Sequence, residues 1–480
     1  MEAVGTTEEN KMGTKPVWSL LMTMALPVVL STAVQSLYNV VDGIFVSQIS
    51  EDAMAAITFA NPLVTILIAV GSGIAVGMNT MLSHGLGEKD QQGVNDSASA
   101  AIWLILLCGM LSLLAGLFLV QPYMAFQTKD AQIRAAGVRY LQVYFCMGVA
   151  TIAQLVFERM LISTGKTMYS MVSQGVGGIM NIVLDYVLIF GHFGMPEMGI
   201  AGAAVATVAS QSFAAVIALS LNIRKNREVQ LSLSLRLPFP AMRRLLVLGA
   251  PTALIMSLNS LMMVNYNAVL NRFSSTAVAV FGACCRVTGF CYAILNALCS
   301  ATIPIIAYNH GAKKKKRIDQ TIRFGYLYAV TVMAVGTVFC VGFPEMFLRL
   351  FNATDEMIGI GIWGMRMLTC CYVLCAVRNM SNCILQALGH SVTAMACDLS
   401  RNYLILIPAA WLLSLTGILD AVWLSVPVAD IVSAATGFLL MLRFYRRDIK
   451  PMEDHTERSC QSIGINQIVR GGFSKWKKSC

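Results

Sequence analysis

The chain has 480 residues, of which 56% are hydrophobic and only 12% are charged. Soluble domains carry about twice that charged fraction, so this composition excludes an ordinary soluble globular protein. The net charge of +10 is concentrated in short polar stretches between long apolar runs, which argues against a nucleic-acid partner.

Apolar runs long enough to cross a bilayer occur along the whole chain. A run such as residues 101–120 can span the roughly 30 Å hydrocarbon core as a helix, the form in which every backbone hydrogen bond is satisfied in lipid. We therefore predict an all-α membrane protein with twelve transmembrane helices. In chain order the predicted spans are residues 17–46, 53–83, 94–120, 138–163, 168–191, 199–222, 242–271, 277–309, 320–343, 358–387, 392–415 and 419–442.

The basic residues fall on one side of this predicted topology. Because the number of spans is even, both termini lie on the same side of the membrane. Lysine and arginine cluster near the N-terminus, after the sixth, eighth and twelfth spans, and most densely at residues 313–317. The positive-inside rule therefore predicts that both termini are cytoplasmic, where basic loops also suit contact with anionic membrane lipids.

The second half of the chain repeats the first at a constant offset. Each half contains six predicted spans, so the halves share one orientation and form a parallel repeat of two six-helix bundles. This arrangement is typical of transporters whose pathway runs between the halves. The matching pairs, 224 positions apart, are Pro27 with Pro251, Gly87 with Gly311, and Gly165 with Gly389.

The spans and the repeat together predict the domain organisation. Residues 17–222 form an N-lobe of helices 1–6, and residues 242–444 form a C-lobe of helices 7–12. Residues 1–16 are predicted to be a cytoplasmic N-terminal segment and residues 223–241 a cytoplasmic loop between the lobes. Residues 445–480 are predicted to be a basic cytoplasmic tail.

Two carboxylates are predicted to lie inside the membrane in the N-lobe only. Asp42 falls in the first span and Asp185 in the fifth, but the positions 224 residues later hold Tyr266 and Ala409. Because ionisable groups inside a membrane are costly, they are functional candidates by default. The presence of these carboxylates in one lobe only is what we expect if that lobe alone binds a coupling ion.

Polar neighbours accompany both carboxylates. Gln35, Tyr38 and Asn39 have helical spacings that place them near one face with Asp42. Carboxylate, amide and hydroxyl oxygens suit a hard cation such as Na⁺, and two nearby carboxylates can also share a proton. Coupling to Na⁺ and coupling to H⁺ are both compatible with these residues. The candidate ligands from the fifth and sixth spans, besides Asp185, are Asn181 and Thr207.

Other charged residues in the predicted spans carry weaker signals. Asp398 and Arg401 lie one helical turn apart and are expected to neutralise each other. Glu158 and Arg159 are expected near the cytoplasmic end of the fourth span, in contact with solvent. No transport role is assigned to Arg286, Arg366, Arg378, Asp398, Arg401 or Asp430.

Enzyme and cofactor motifs are absent from the sequence. TGKT at residues 164–167 lacks the upstream glycine of a phosphate-binding loop, because position 160 is Met160. The cysteines lie mostly in apolar runs, without the spacing of a zinc site. We therefore expect no enzyme activity, no cofactor and no resident metal ion.

Several motifs together resemble the MATE family (multidrug and toxic compound extrusion). They are the first-span pattern P…Q..YN.VD.IFV, the glycine motif after the second span, L..TG.T after the fourth, N...D in the fifth, GIAGAAVAT in the sixth and PII.YN.GAK at 304–313. The resemblance covers about residues 15–445. It is specific because it combines six motifs, and it lies nearest to the bacterial branch with compact loops.

This resemblance implies twelve helices in two lobes around a V-shaped cavity, in the bacterial inner (plasma) membrane. It implies export of amphipathic, often cationic small organic molecules in exchange for Na⁺ or H⁺. We expect the protein to be a monomer. The implied N-lobe cation-binding residues are Asp42, Asn181, Asp185 and Thr207. The implied substrate-cavity residues are Pro27, Gln35, Tyr38, Asn39 and Tyr140.

Two rival functions remain from the sequence. A flippase for lipid-linked sugars belongs to the same larger group, but it needs a strongly cationic cavity, whereas the distinctive buried charges here are acidic. A non-transporting membrane scaffold or receptor would not need a carboxylate pair in one lobe only.

Overall fold

The computed structural model describes residues 10–231, 237–350 and 354–452, and these residues are helical without any strand. The long helices of the first half are α1 (Val17–Ser47), α2 (Glu51–Glu88), α3 (Gln91–Phe118), α4 (Ala131–Cys146 continued by Gly148–Ser163), α5 (Thr167–Phe190) and α6 (Ile200–Lys225). Those of the second half are α7 (Phe239–Leu270), α8 (Ser275–Gly311), α9 (Lys315–Gly342), α10 (Asp355–Thr369 continued by Tyr372–Ala387), α11 (Ser391–Leu399, Ser400–Leu406 and Ile407–Ser414) and α12 (Leu419–Trp423 continued by Ser425–Phe444).

The prediction of an all-helical protein with many membrane spans is confirmed. Over the described ranges, nine helices are individually long and apolar enough to cross a membrane. The two bent helices α4 and α10, with bends of 49° and 43°, bring the number to eleven. The remaining predicted span, residues 392–415, corresponds to α11, in which a π-helical stretch at Ser400–Leu406 interrupts the α-helix.

The internal repeat extends to the ends of the helices. Ser50 caps α2 by accepting a 3.0 Å hydrogen bond from a backbone N–H, and Ser274, 224 positions later, caps α8 in the same way. Asp130 and Thr354, again 224 apart, are the N-caps of α4 and α10. Such caps satisfy N–H groups that a helix start leaves unpaired. Corresponding helices of the two halves therefore begin with the same kind of side-chain N-cap.

The first helix of each lobe begins against the other lobe. Leu20 and Met24 of α1 are fully buried in a core formed mainly by α8, α9 and α10. In the same way, Leu245 of α7 is buried in the core of the N-lobe. Pro27 and Pro251 follow these stretches in α1 and α7. The first turns of α1 thus pack in the C-lobe, and the first turns of α7 pack in the N-lobe.

Glycines bring the lobes into backbone contact at one face of the membrane, which we call the terminal face (residues 10–15, 84–91 and 308–317). A Cβ at Gly87 of α2 would collide with the carbonyl of Tyr308 in α8. Reciprocally, a Cβ at Gly311 would collide with the carbonyl of His84. Such close approach requires residues without side chains. Since both pairs are related by the 224-residue repeat, the helices cross on the pseudo-twofold axis.

A short helix, Lys11–Thr14, is bound to both lobes at this terminal face. Asn10 donates a 3.1 Å hydrogen bond to the carbonyl of Thr164 in the N-lobe. From the C-lobe, Asn309 donates a 3.1 Å hydrogen bond to the carbonyl of Met12, whose side chain is fully buried. Residues 10–14 therefore link the two lobes at the terminal face, where the glycines of α2 and α8 are also in contact.

Candidate ion and substrate sites

Helices α1 and α5 run side by side in a register that brings the predicted carboxylates together. Gln174 donates a 3.2 Å hydrogen bond to Gln35. One turn further, the ring of Tyr38 packs on Gly178, which has no side chain to block it. Phe45 and Tyr186 meet with ring centroids 6.4 Å apart. Between these contacts lie Asp42 on α1 and Asn181 with Asp185 on α5.

The structure buries these N-lobe groups without giving them hydrogen-bond partners. Asp185 is fully buried, Asn181 is 2% exposed, and Asp42 is half-buried. Within the described part of the chain, neither oxygen of Asp185, nor Oδ1 of Asp42, nor either polar atom of Asn181 has a partner. Buried polar groups are normally satisfied, so an unpartnered cluster indicates a place where something else binds.

Two further predicted residues lie around this pair. Helices α5 and α6 are antiparallel: Ser173 donates to the carbonyl of Ala214, and Gly202 packs on Leu188. This register places the half-buried Thr207 at the level of Asn181. Tyr140 of α4 is 7% exposed and lies within electrostatic range of both Asp42 and Asp185.

The donor set fits a proton or a small hard cation. Two carboxylates supply negative charge, and Asn181 and Thr207 supply neutral oxygens of the kind that Na⁺ prefers. Across the described residues, no group of three or more His, Cys, Asp or Glu side chains could hold a metal ion.

The C-lobe fills the equivalent space with aromatic side chains. Tyr266, at the repeat position of Asp42, is 1% exposed, and its hydroxyl lies 3.3 Å from Ser425 Oγ. Its ring packs with Phe281 at 4.8 Å and Trp423 at 6.5 Å between centroids. The two lobes therefore share a backbone plan but differ in chemistry at this position.

A large cavity of about 900 Å³ lies between the lobes, beyond the glycine contacts of the terminal face. Its walls extend as far as Tyr266 and Phe281 at the opposite end of the C-lobe. The lobes are therefore in contact at the terminal face, and the cavity separates them toward the opposite face.

Of the five predicted substrate-cavity residues, Gln35 alone is on the wall of this cavity. Pro27 is buried in α1, where the neighbouring Val28 takes the cavity position. Tyr38 is half-buried against α5, and Tyr140 stacks on Tyr144 at 6.2 Å. Asn39 is exposed. The polar face predicted for α1 is thus divided between the cavity and the lobe interior.

The cavity wall carries five acidic or arginine side chains to which sequence reasoning gave no transport role. They are Glu158 and Arg159 from α4, Arg378 from α10, and Asp398 and Arg401 from α11. The expectation that Glu158 is in solvent was wrong. It is 6% exposed, because α4 packs between α2 and α6, and it accepts hydrogen bonds from Gln154 at 3.1 Å and Ser173 at 3.4 Å.

The expected pairing of Asp398 with Arg401 was also wrong. Arg378 forms an ion pair with Asp398, while Arg401 donates a 2.7 Å hydrogen bond to the 1% exposed Asp430 of α12. The π-helical stretch begins between the two residues, at Ser400, and it changes the one-turn spacing on which the expectation relied. A sequence carries no simple signal for such a stretch.

The family comparison repeats the internal offset. A family model described as MatE matches residues 27–187 and again residues 251–412, and these matches begin 224 positions apart. Together they cover more than half of the chain.

Similar proteins span nearly the whole chain. A probable multidrug resistance protein NorM from Thermotoga maritima is 25% identical over 429 residues, which cover 88% of this chain and 91% of the relative. The multidrug export protein MepA from Staphylococcus aureus is 24% identical over 435 residues, covering 89% and 94%.

A solved structure has the same fold. It is described as the outward-facing conformation of a multidrug resistance MATE family transporter. It superposes with a TM-score of 0.86 at 22% identity and covers 93% of this chain and 99% of that one. With two repeated six-helix lobes, a cavity between them and a family model matched in each lobe, this multi-span membrane protein belongs to the MatE family of transporters.

Proposed function

We propose that this chain is a secondary active exporter that exchanges amphipathic organic compounds for Na⁺ or H⁺. The observation that carries the proposal is the cluster of buried, unpartnered carboxylate oxygens at Asp42 and Asp185. The cluster lies on helices that also form the wall of the cavity between the lobes. The names of the relatives as multidrug exporters support drugs as cargo.

Helix α1 offers a route by which the ion and the cargo influence each other. Asp42 lies two turns from Gln35, which is on the cavity wall and bonded to Gln174 of α5. A cation shared by Asp42 and Asp185 would draw α1 and α5 together and move this glutamine pair. By linkage, an ion that weakens cargo binding is itself weakened by the cargo.

The membrane potential could supply useful work to this exchange. One elementary charge that enters through about 150 mV releases roughly 3.5 kcal/mol. That free energy supports roughly a 300-fold gradient of a neutral solute. In an electrically neutral exchange, only the chemical gradients would contribute.

We place the protein as a monomer in the bacterial plasma membrane with both termini in the cytoplasm. The basic stretch at residues 313–317 lies on the terminal face, where it would meet anionic lipid headgroups. The terminal face is then the cytoplasmic face, and the cavity described here faces outward.

Ethidium export from proteoliposomes tests the proposal, with sodium and pH gradients applied separately. We expect one gradient to drive export, and we expect Asp42→Asn and Asp185→Asn each to abolish that dependence. Asp420→Asn, which changes an exposed carboxylate of α12, is the matched control. Unchanged export and ion dependence in both N-lobe variants would refute the assignment.

A flippase for lipid-linked sugars is the second candidate, because three arginines lie on the cavity wall. However, Arg378 and Arg401 are held by Asp398 and Asp430, so the cavity is not strongly cationic. Flipping of a fluorescent lipid-linked pyrophosphate without ethidium export would favour this candidate. A non-transporting scaffold would support neither activity.

A further inference from the structure

The charged residues of the cavity wall are not equally neutralised. In the C-lobe, Arg378 is paired with Asp398 and Arg401 with Asp430. In the N-lobe, Arg159 forms no hydrogen bond or ion pair with any residue in the described ranges. Among the described residues of this wall, Arg159 is thus the arginine whose guanidinium has no hydrogen-bond acceptor.

The carboxylate of the adjacent Glu158 does not neutralise the guanidinium of Arg159. Adjacent residues on a helix do not face each other, and the Glu158 carboxylate is turned to Gln154 and Ser173 inside the N-lobe. An electrostatic attraction between Glu158 and Arg159 remains, but no direct contact forms.

The C-lobe part of the wall carries one carboxylate, Asp398, which is paired with Arg378 and accepts a 2.9 Å hydrogen bond from Asn382. Arg159 lies one turn before the end of α4 at Ser163, and therefore near the base of the cavity. Its repeat counterpart, Cys383 of α10, lies within electrostatic range of it across the lobe boundary. The wall residues next to Cys383 are Asn382 and Gln386, which are uncharged.

The rest of the cavity suits an apolar body. Met256, Met262 and Met263 of α7 line it together with Phe281 of α8. Methionine adapts to ligands of different shape, and aromatic rings offer flat stacking surfaces. In general, a guanidinium can bind carboxylate or phosphate oxygens in a bidentate manner, and a low-dielectric environment strengthens such a pair.

We propose that the base of the cavity is a subsite for an acidic group of the exported compound, and that Arg159 binds it. The ligand class is an aromatic amphiphile with a carboxylate or a phosphate, including zwitterions that also carry a positive charge. This proposal rests on the proposed export function and adds a specificity-determining residue to it.

A pair of dyes that differ in one acidic group provides the test. Rhodamine 110 carries a free carboxylate, and rhodamine 123 is its methyl ester. Fluorescence polarisation with the purified full-length protein gives Kd for each dye without requiring transport. We expect Arg159→Gln to weaken binding of rhodamine 110 about tenfold, equivalent to ~1.4 kcal/mol, and to leave binding of rhodamine 123 nearly unchanged.

Two further variants keep this test independent of folding. Arg159→Lys retains the charge and should restore much of the preference, and Arg366→Gln removes an exposed arginine outside the cavity wall. An unchanged ratio of the two Kd values in Arg159→Gln, or no binding of rhodamine 110 to the wild type, would overturn the proposal. Absence of ion-driven export in the wild type, together with a Kd ratio that Arg159→Gln still changes, would instead contradict the proposed antiport and leave the subsite in place.

Discussion

The buried carboxylates of the two lobes differ in what neutralises them. Asp398 and Asp430 of the C-lobe each have an arginine, a cation that is part of the protein and cannot leave. Asp42 and Asp185 of the N-lobe have no basic partner among the described residues. A carboxylate without a permanent counter-ion can respond to an exchangeable one. If transport is ion-driven as proposed, this chemical difference places the ion site in the N-lobe.

The Arg401–Asp430 pair should stabilise the fold only as a pair. Asp430→Asn leaves a largely buried guanidinium without its counter-charge, and breaking such a pair typically costs about 3–5 kcal/mol. We expect a clear fall in Tm for this variant in detergent. The double variant Arg401→Leu/Asp430→Leu should recover much of the loss. A double variant that is as unstable as the single one would contradict this account.

Asp185 should show the opposite behaviour, because its buried carboxylate has no partner. An unsatisfied buried polar group costs about 1–3 kcal/mol, and more when it is charged. Asp185→Asn should therefore raise Tm in buffer without coupling ion while it abolishes ion-driven export. Asp96→Asn, at an exposed site near the start of α3, should leave Tm unchanged. A lower Tm in Asp185→Asn would show that the carboxylate is satisfied after all.

At the scale of helices, the glycine crossing of α2 and α8 is where the lobes close. A Cβ at Gly87 or Gly311 would meet backbone atoms, which cannot move aside as the end of a side chain can. Overpacking costs about 1–3 kcal/mol, so Gly87→Ala should reduce the ratio of closed to open molecules roughly tenfold or more. Distances between spin labels on the ends of α2 and α8 should lengthen.

A control for the Gly87→Ala variant is available in α8, the other helix of the crossing. Gly282 has no atom within 4 Å of the position that a Cβ would take. Gly282→Ala should therefore leave both the label distances and transport unchanged. Equal effects of the two alanine variants would mean that helix propensity, rather than contact between the lobes, causes the change.

The elements that could be predicted from sequence are those with a local or repeated signal. Long apolar runs gave the spans, and the offset seen at Pro27 and Pro251 gave the two lobes. The carboxylates were found because they are rare inside membranes. The π-helical stretch of α11 has no such signal, so the partner of Arg401 could not be derived. The burial of Glu158 depends on how α4 packs between α2 and α6, which no helical periodicity reveals.

At the scale of the whole molecule, the two lobes are closed on one face through reciprocal contacts. Helix α7 packs along α2, and α1 packs along α8. The short helix Lys11–Thr14 adds hydrogen bonds to both lobes at the same face. Opening this face would have to release the short helix as well as the glycine crossing. Closure is thus a cooperative contact between two nearly symmetric halves.

Native cysteines report which face of the cavity is open. Cys285 lies on the cavity wall, whereas its neighbour Cys284 is fully buried. In a variant that retains only Cys285, a membrane-impermeant maleimide should react when added opposite the terminal face and react slowly from that face. A variant that retains only Cys284 should not react from either face.

Under the proposed antiport, the coupling ion should change the labelling rate of Cys285, because alternating access would move the opening of the cavity from one face to the other. If the ion acts through Asp42 and Asp185, then Asp185→Asn in the same background should fix the rate at one value, whatever the ion concentration. Equal labelling from both faces would indicate a channel-like passage rather than two alternating states. An ion effect that persists in Asp185→Asn would place the ion outside the N-lobe cluster, even if the lobes still alternate.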